Sequence, residues 1–413
     1  MSRPSKFAHV WRALRNRNCK LYFSGQGLSV IGTWMTRMAT TWLVYRLTHS
    51  ALLLGLVGFT GLIPTFLLAP FAGVWIERLD RRRLLVCTQA AAGVQSLVLA
   101  ALTLARVVSF REILVLAACQ GLINAFDTPL RQILVGQMVD DREDLGNAIA
   151  ISSSLANGAR LIGPAIAGLV IAGFGEGGCF LIDGLSYLAV IASLLMMRIQ
   201  PPASLPSKAG MLEQLREGWQ YVNTYRPVRA ILLLSALLAL MGYPYSVLMP
   251  VFAGQVLHGG PATLGWLTAA SGVGALGSGL SLAFRKSTEG LTRMLQIAAA
   301  ALGGGLVLFG LSHTLWLSMG LMVLIGFGMM QVFAASNTLI QTLVPEDMKG
   351  RVMSYFVMSM FGTAPFGSLL AGALAHRIGA PHTVLVTGAF CLAGSLWFGM
   401  ELPAVQAILQ TNP

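Results

Sequence analysis

Apolar segments of about 20 residues or more recur along this 413-residue chain, and short polar stretches separate them. A helix needs about 20 apolar residues to cross the hydrocarbon core of a bilayer. Only 11% of the residues are charged, whereas a soluble domain carries roughly 25%, and the mean hydropathy is +0.70. The sequence therefore predicts an all-α polytopic membrane protein with about twelve transmembrane helices.

The net charge of +12 is distributed unevenly along the chain. Most of the 28 lysines and arginines lie in the N-terminal tail or in loops that follow even-numbered predicted helices. The loops of the other side carry Arg46, Arg106, Arg111 and Arg377. Because basic residues concentrate in cytoplasmic loops, we expect both termini in the cytoplasm. This distribution explains the positive charge without a nucleic-acid partner.

The predicted helices and the single long loop define the domain organisation. We expect a cytoplasmic basic tail at 1–20, a six-helix bundle at 21–197, a cytoplasmic linker at 198–229, a second six-helix bundle at 230–400 and a cytoplasmic tail at 401–413. Within the linker, Leu212, Leu215, Trp219 and Val222 recur at helical spacing. This pattern predicts an amphipathic helix on the membrane surface, with a partner-binding helix as the alternative.

Two segments in the second half repeat segments of the first at the same offset. The stretch 162–168 (Ile-Gly-Pro-Ala-Ile-Ala-Gly) aligns with 366–372 (Phe-Gly-Ser-Leu-Leu-Ala-Gly), and Gly146 aligns with Gly350. An offset near half the chain length indicates duplication of a six-helix unit. The two bundles are therefore expected to be pseudo-symmetric.

Charged residues inside the predicted spans all fall in the first half, and they are Arg37, Asp127, Arg131, Arg160 and Asp183. The second half offers only amides in its tenth predicted helix, namely Gln331, Asn337 and Gln341. A charge at mid-bilayer costs several kcal/mol unless it is paired. These residues therefore either line a substrate cavity or form ion pairs that fix helix packing.

Asp127 and Arg131 lie four residues apart and so share one helix face. Pro129 between them frees a backbone carbonyl. The three arginines outnumber the two aspartates, so one cation lacks a partner, and Arg160 is our candidate for it. An unpaired cation beside a cavity is a natural contact for an anionic substrate.

A cationic loop after the second predicted helix and a small-residue motif in the fifth carry further signals. The loop residues of interest are Gly73, Glu77, Arg78, Arg81 and Arg82, in the pattern Gly-x-x-x-acid-Arg-x-x-Arg-Arg. The fifth helix carries Gly163, Pro164 and Gly168. Small residues four apart allow close helix contact.

Together these segments resemble the major facilitator superfamily of membrane transporters. The loop at Gly73 is similar to the signature loop between helices 2 and 3, and the stretch at Gly163 is similar to the antiporter motif of helix 5. Segments 32–35, 126–132 and 350–352 resemble a bacterial subgroup that includes the enterobactin exporter. The resemblance implies that Glu77 caps the start of helix 11 and latches the cytoplasmic side, and that Arg81 pairs with a nearby acid. Glu77 stands where Asp is usual, and Asp80 stands where Gly is usual.

The resemblance implies a monomeric transporter in the bacterial inner membrane, in contact with the lipid bilayer. We expect alternating-access export of small amphipathic molecules, siderophore-like or drug-like, in exchange for protons that bind Asp127. A lysophospholipid-type transporter or flippase is the first alternative, and a non-transporting sensor or scaffold is the second. No metal-ligand spacing and no nucleophile–base arrangement is visible, so we expect neither an enzyme nor a cofactor.

Overall fold

The computed structural model describes residues 12–138, 142–197, 211–285 and 290–411, together with all but a few of their side chains. Every regular element in these ranges is helical. Ten stretches are long and apolar enough to cross a membrane. Two further helices, Arg17–Thr48 and Pro261–Ala283, are long enough but contain many Gly, Ser and Thr residues. With these two added, the number reaches the predicted twelve.

The first half contains six long helices after a one-turn 3-10 helix at Arg12–Arg15. They are α1 (Arg17–Thr48), α2 (Ala51–Arg78), α3 (Arg81–Leu104), α4 (Phe110–Gln137), α5 (Arg142–Phe174) and α6 (Glu176–Met196). The second half begins with the linker helix α7 (Met211–Thr224) and continues with α8 (Arg226–Met241), α9 (Tyr245–Val251), α10 (Pro261–Ala283), α11 (Leu291–Gly310), α12 (Leu315–Leu343), α13 (Glu346–Val357), α14 (Ala364–Ile378) and α15 (Ala380–Thr411).

Two of the predicted single spans of the second half are interrupted. The seventh span contains α8 and α9, which meet at Gly242 to Pro244, and ends in a π-helical turn at Phe252–Val256. The eleventh contains α13 and α14, joined by a π-helical turn at Met358–Gly362. Proline lacks the N–H that would continue an α-helix, which explains the break at Pro244.

Backbone conformation at the turns supports the predicted repeat. Gly175 (φ +75°) precedes α6 and Gly379 (φ +83°) precedes α15, and these two glycines have the same offset as the repeated motif. His49 (φ 47°) and His258 (φ 50°) adopt the left-handed region in the turns before α2 and α10. Non-glycine residues seldom adopt this conformation. Matching turns at matching places are what duplication of a six-helix unit predicts.

The described residues divide into two compact units, the first drawn from Met1–Leu47 and Thr60–Pro206, the second from Thr48–Phe59 and Ser207–Pro413. In the first unit, glycines of α1 bring it close to α6. A Cβ on Gly32 would lie 2.7 Å from Asp183 Oδ1, and one on Gly25 would lie 2.5 Å from Ser193 Oγ. The close approach of α1 and α6 places polar groups of one helix against the other.

In the second unit, the linker helix α7 packs on α13. Arg351 Nη1 pairs with Glu217 Oε2 at 2.6 Å, and the rings of Trp219 and Tyr355 have centroids 6.0 Å apart. Val222 is buried, whereas Trp219 is exposed. The side chains of Leu212 and Leu215 lie outside the described ones. One face of the predicted amphipathic helix thus contacts protein, and its placement on the membrane surface stays a prediction.

Candidate functional site

Asp127 lies at the centre of a buried polar cluster between α3 and α4. Arg131 Nε is 2.5 Å from Asp127 Oδ2. From α3, Thr88 Oγ1 donates to Asp127 Oδ1 at 3.0 Å, and the Gln89 amide donates to the same oxygen. Pro129 lies between the two charged residues, and α4 remains continuous through it. The i, i+4 spacing therefore brings this acid and this base together as an ion pair, and two neutral donors complete the carboxylate's coordination.

Asp183 is another buried acid, and its surroundings differ from those of Asp127. It is 1% exposed, and Ser96 Oγ of α3 donates to its Oδ2 at 2.7 Å. Its Oδ1 has no hydrogen-bond partner among the described residues. No described lysine or arginine forms an ion pair with it. Among the described residues, only neutral groups therefore contact the Asp183 carboxyl group.

Arg37 and Arg160 both approach the indole of Trp34. The guanidinium carbon lies 5.1 Å from the ring centroid for Arg37 and 5.7 Å for Arg160. Such distances are those of cation–π contacts. Arg46, by contrast, pairs with Glu176 at 2.7 Å. Within the part of the chain that the structure describes, neither Arg37 nor Arg160 has a carboxylate partner. Two arginines therefore lack such a partner, whereas the sequence predicted one.

The helix 5 motif explains how Arg160 reaches Trp34. A Cβ on Gly163 would lie 2.6 Å from Trp34 Cβ and 3.1 Å from the Ile31 carbonyl. Only glycine allows α5 to approach α1 this closely. Arg160 is one turn earlier on the same helix face, so the close approach brings its guanidinium to the indole. Pro164 lies inside α5 and frees the carbonyl of Arg160.

The cationic loop forms caps for neighbouring helices. Asp80 is the N-cap of α3, and its side chain accepts from the backbone N–H of Arg82 at 3.0 Å and of Arg83 at 3.2 Å. The Arg82 side chain donates to the carbonyls of Leu194 at 2.8 Å and Leu195 at 2.6 Å, at the C-terminal end of α6. A capping carboxylate satisfies otherwise unpaired helix N–H groups. This role explains the Asp at position 80.

The remaining predicted loop residues stay untested. The side chains of Glu77 and Arg78 lie outside the described ones, although the backbone of both residues and of Gly73 belongs to α2. No acid among the described side chains pairs with Arg81. The latch formed by Glu77 therefore stays a prediction.

The predicted amides of the second unit have two different environments. Gln331 is fully buried, and its Oε1 accepts from Ser278 at 2.9 Å and from Ser281 at 3.1 Å, both on α10. Gln341 is exposed and donates to Asn337 Oδ1 at 2.5 Å, one turn away. The Gln331 amide joins α10 to α12, whereas the other pair remains accessible.

Four residues that contact the charged groups were absent from the sequence prediction, namely Trp34, Thr88, Gln89 and Ser96. A signal existed for each, because polar residues are uncommon in apolar spans. Trp34 is also three residues before Arg37, the spacing at which helical side chains are neighbours. Among the described residues, no cluster of His, Cys, Asp or Glu is placed to hold a metal ion.

Apolar helices in two compact units, with buried ion-pairing groups inside one of them, define a multi-pass membrane transporter. The family model described as "Transmembrane secretion effector" matches residues 8–412. The chain therefore belongs to this family of the major facilitator superfamily, and its relatives include proteins named for multidrug and macrolide efflux. The predicted superfamily, fold class and export function are confirmed, and membership of a transporter family excludes an enzyme as predicted.

Relatives and solved structures cover nearly the whole chain. The staphyloferrin A transporter of Staphylococcus aureus is 26% identical over 371 residues, which cover 89% of this chain and 92% of that protein. The multidrug efflux pump Tap of Mycolicibacterium fortuitum is 26% identical over 368 residues, 86% of this chain and 88% of the pump. A bacterial homologue of the human lysosomal transporter Spinster, inward-facing and occupied, has a TM-score of 0.73 at 14% identity, covering 97% and 98%. The last likeness supports the fold alone.

Proposed function

We propose that this transporter exports small amphipathic molecules that carry an acidic group, in exchange for protons. The pair of arginines on Trp34 supports this substrate chemistry. Each guanidinium is free of a carboxylate partner within the described residues; Arg37 is exposed and Arg160 is half-buried, and a half-buried cation is stabilised by an anion. Relatives named for a siderophore and for drugs are compatible with small amphipathic cargo.

The indole adds a second element of recognition. Trp34 offers an apolar aromatic surface next to both cations. A ligand with a flat apolar body and one carboxylate or sulfonate could contact the ring edge and both guanidinium groups at once. Hydrogen bonds to charged groups contribute about 1.5–3 kcal/mol each, which corresponds to roughly tenfold or more in affinity.

Binding of two matched dyes to the purified protein tests the substrate proposal. Fluorescein is an anionic xanthene and rhodamine 6G is a cationic one. We expect tighter binding of fluorescein to the wild type, and a loss of roughly tenfold or more in Arg160→Gln. Arg111→Gln is the control, because it removes one positive charge from an exposed position at the start of α4.

Two results would count against the acidic substrate. One is tighter binding of rhodamine 6G than of fluorescein to the wild type. The other is an equal loss of fluorescein affinity in Arg160→Gln and Arg111→Gln, because that would reflect net charge rather than contact at Trp34.

Proton exchange is proposed at Asp127. Its carboxylate pairs with Arg131 and accepts from Thr88 and Gln89. A proton would bind after Arg131 moves away, which links protonation to a change in the site. In liposomes with an imposed pH gradient, Asp127→Asn should lose gradient-driven fluorescein transport and keep fluorescein binding. Full gradient-driven transport by this variant would reject Asp127 as the proton site.

A further inference from the structure

Several buried polar atoms of the first unit, here called the polar column, have no hydrogen-bond partner among the described residues. They are Gln26 Oε1 and Nε2, Ser29 Oγ, Thr36 Oγ1, Gln89 Oε1, Gln95 Oε1 and Asp183 Oδ1, and they come from α1, α3 and α6. Most buried polar groups in proteins have a hydrogen-bond partner, and each one left without costs about 1–3 kcal/mol. Internal water is the usual partner where several polar groups converge.

Helix α1 supplies one side of the column. Gln26, Ser29, Thr33 and Thr36 recur at helical spacing and so share a face. Thr33 Oγ1 lies 3.5 Å from the Tyr187 hydroxyl of α6. Thr36 is close to Asp183, although neither its hydroxyl nor Asp183 Oδ1 completes a hydrogen bond. The polar face of α1 is therefore turned towards the acid on α6.

Helix α3 connects the buried acids Asp127 and Asp183. Its Thr88 binds Asp127 and its Ser96 binds Asp183. Eight residues separate these donors, or about 12 Å along the helix axis at 1.5 Å per residue. Between them, a Cβ on Gly93 would lie 3.1 Å from Tyr187 Cβ. Tyr187 thus packs against α3 at a position between Thr88 and Ser96.

Asp127 and Asp183 differ in whether an arginine contacts the carboxyl group. Asp127 forms an ion pair with Arg131. Asp183 forms no ion pair with Arg131, and the two interact only through longer-range electrostatics. The other groups that face Asp183 are neutral hydroxyls, from Ser96 on α3 and Thr36 on α1. An ionised carboxylate buried without a contacting cation is costly, and such a group reduces the cost by binding a proton.

We propose that Asp183 is a second proton-binding acid, and that Asp127 and Asp183 share one proton and one counter-ion, Arg131. In the arrangement described, Arg131 neutralises Asp127 and the proton resides on Asp183. Transfer moves that proton from the Asp183 carboxyl through Tyr187 and internal water to Asp127, and Arg131 then turns to the Asp183 carboxylate. Net charge is unchanged throughout. The proposal rests on the proton exchange proposed above and adds the site that holds the proton between steps.

Infrared spectroscopy of the purified protein tests this directly, because a neutral carboxyl group has a C=O band that a carboxylate lacks. At neutral pH we expect one buried neutral-carboxyl band in the wild type, absent from Asp183→Asn. Ser96→Ala should shift the band, because it removes the hydrogen bond to that carboxyl and keeps the acid. Arg131→Gln should add a second band, because both acids then lack their cation.

The matched control is Glu112→Gln. It removes a carboxyl that accepts from the Ser109 backbone at 2.8 Å, and glutamine preserves that capping box, so the band should not change. Persistence of the band in Asp183→Asn, or no neutral carboxyl at neutral pH in the wild type, would overturn the proposal. If Asp183→Asn does not fold, an unshifted band in Ser96→Ala would overturn it.

The infrared result and the liposome result separate the two proposals. Full gradient-driven transport by Asp127→Asn would reject the exchange at Asp127 and with it the shared proton, even if the Asp183 band is present. The other outcome is loss of transport in Asp127→Asn together with a neutral-carboxyl band that is unchanged in Asp183→Asn. It would support proton exchange at Asp127 and reject only the proposal that Asp183 is a second proton-binding acid.

Discussion

The interiors of the two units differ in how their polar groups are satisfied. In the first unit, the buried polar groups include three acids, Asp127, Glu176 and Asp183, and several of its polar atoms have no partner among the described residues. In the second, the buried polar side chains are hydroxyls and the Gln331 amide, and none of those described has a fully buried atom without a partner. Pairs such as Ser235 with Ser336 at 3.2 Å and Tyr245 with Ser271 at 3.1 Å are typical.

This difference indicates that the charged polar chemistry is concentrated in the first unit. Satisfied hydroxyl pairs stabilise helix packing at little cost, whereas unpaired cations and buried acids destabilise a unit unless a ligand, a proton or water compensates. Proteins tolerate such costs at functional sites. The first unit is therefore the one in which we expect substitutions to change transport, and the second is the one in which they should change stability alone.

The largest expected effect comes from breaking the ion pair of the first unit. Arg131→Met leaves Asp127 buried beside Thr88 and Gln89 without its cation. Removing one partner of a buried ion pair costs about 3–5 kcal/mol. We expect a loss near the lower end of that range, because the Arg131 side chain is 23% exposed. The free energy of unfolding in mixed micelles, titrated with SDS, measures it.

The double variant Asp127→Asn/Arg131→Met is the control for this prediction. It removes both charges, so it should recover more than half of the stability lost in the single variant. Equal destabilisation of the single and double variants would show that Arg131 contributes by packing rather than by charge.

An intermediate effect is expected from the helix 5 motif. Gly163→Ala places a methyl group within 2.6 Å of Trp34 Cβ, so α5 must move away from α1 and Arg160 from the indole. Overpacking of this kind costs about 1–3 kcal/mol. Gly158→Ala on the same helix is the control, since nothing lies within 4 Å of its added methyl group. We expect lower stability and weaker fluorescein binding only in Gly163→Ala; equal behaviour of the two variants would contradict the role assigned to Gly163.

Much of the fold followed from the sequence because hydropathy and spacing act locally. The i, i+4 spacing of Asp127 and Arg131 predicted a shared helix face, and within α4 (Phe110–Gln137) the two residues form an ion pair. The breaks at Gly242–Pro244 and at the two π-helical turns were not predicted, because apolar composition continues through them. Apolar composition indicates which residues lie in the membrane. It does not indicate where the backbone hydrogen-bond pattern of a helix changes.

The environment of each charge was harder to predict, since it depends on contacts between distant helices. Counting charges gave one leftover arginine, which assumed that each aspartate takes one. Asp183 instead accepts from Ser96, and Arg37 joins Arg160 at Trp34. The packing of Gly32 against Asp183 excludes a large cationic side chain from that side. Only the three-dimensional arrangement of α1, α3 and α6 determines this choice.

The smallest expected effect sharpens the comparison between matched amides. Gln331 of the second unit and Gln89 of the first are both almost fully buried, but Gln331 accepts from neutral serines, and Gln89 donates to a carboxylate. Gln331→Leu should cost about 1 kcal/mol, as expected for a neutral hydrogen bond, because Ser281 keeps its bond to the Ser278 carbonyl at 2.8 Å. Gln89→Leu should cost about 1.5–3 kcal/mol, since its bond is to a charged group.

Gradient-driven fluorescein transport in liposomes should be unchanged in Gln331→Leu and reduced in Gln89→Leu. Reduced transport in Gln331→Leu at unchanged stability would show that polar groups of both units act in transport. The contrast between a functional first unit and a purely structural second unit would then be wrong.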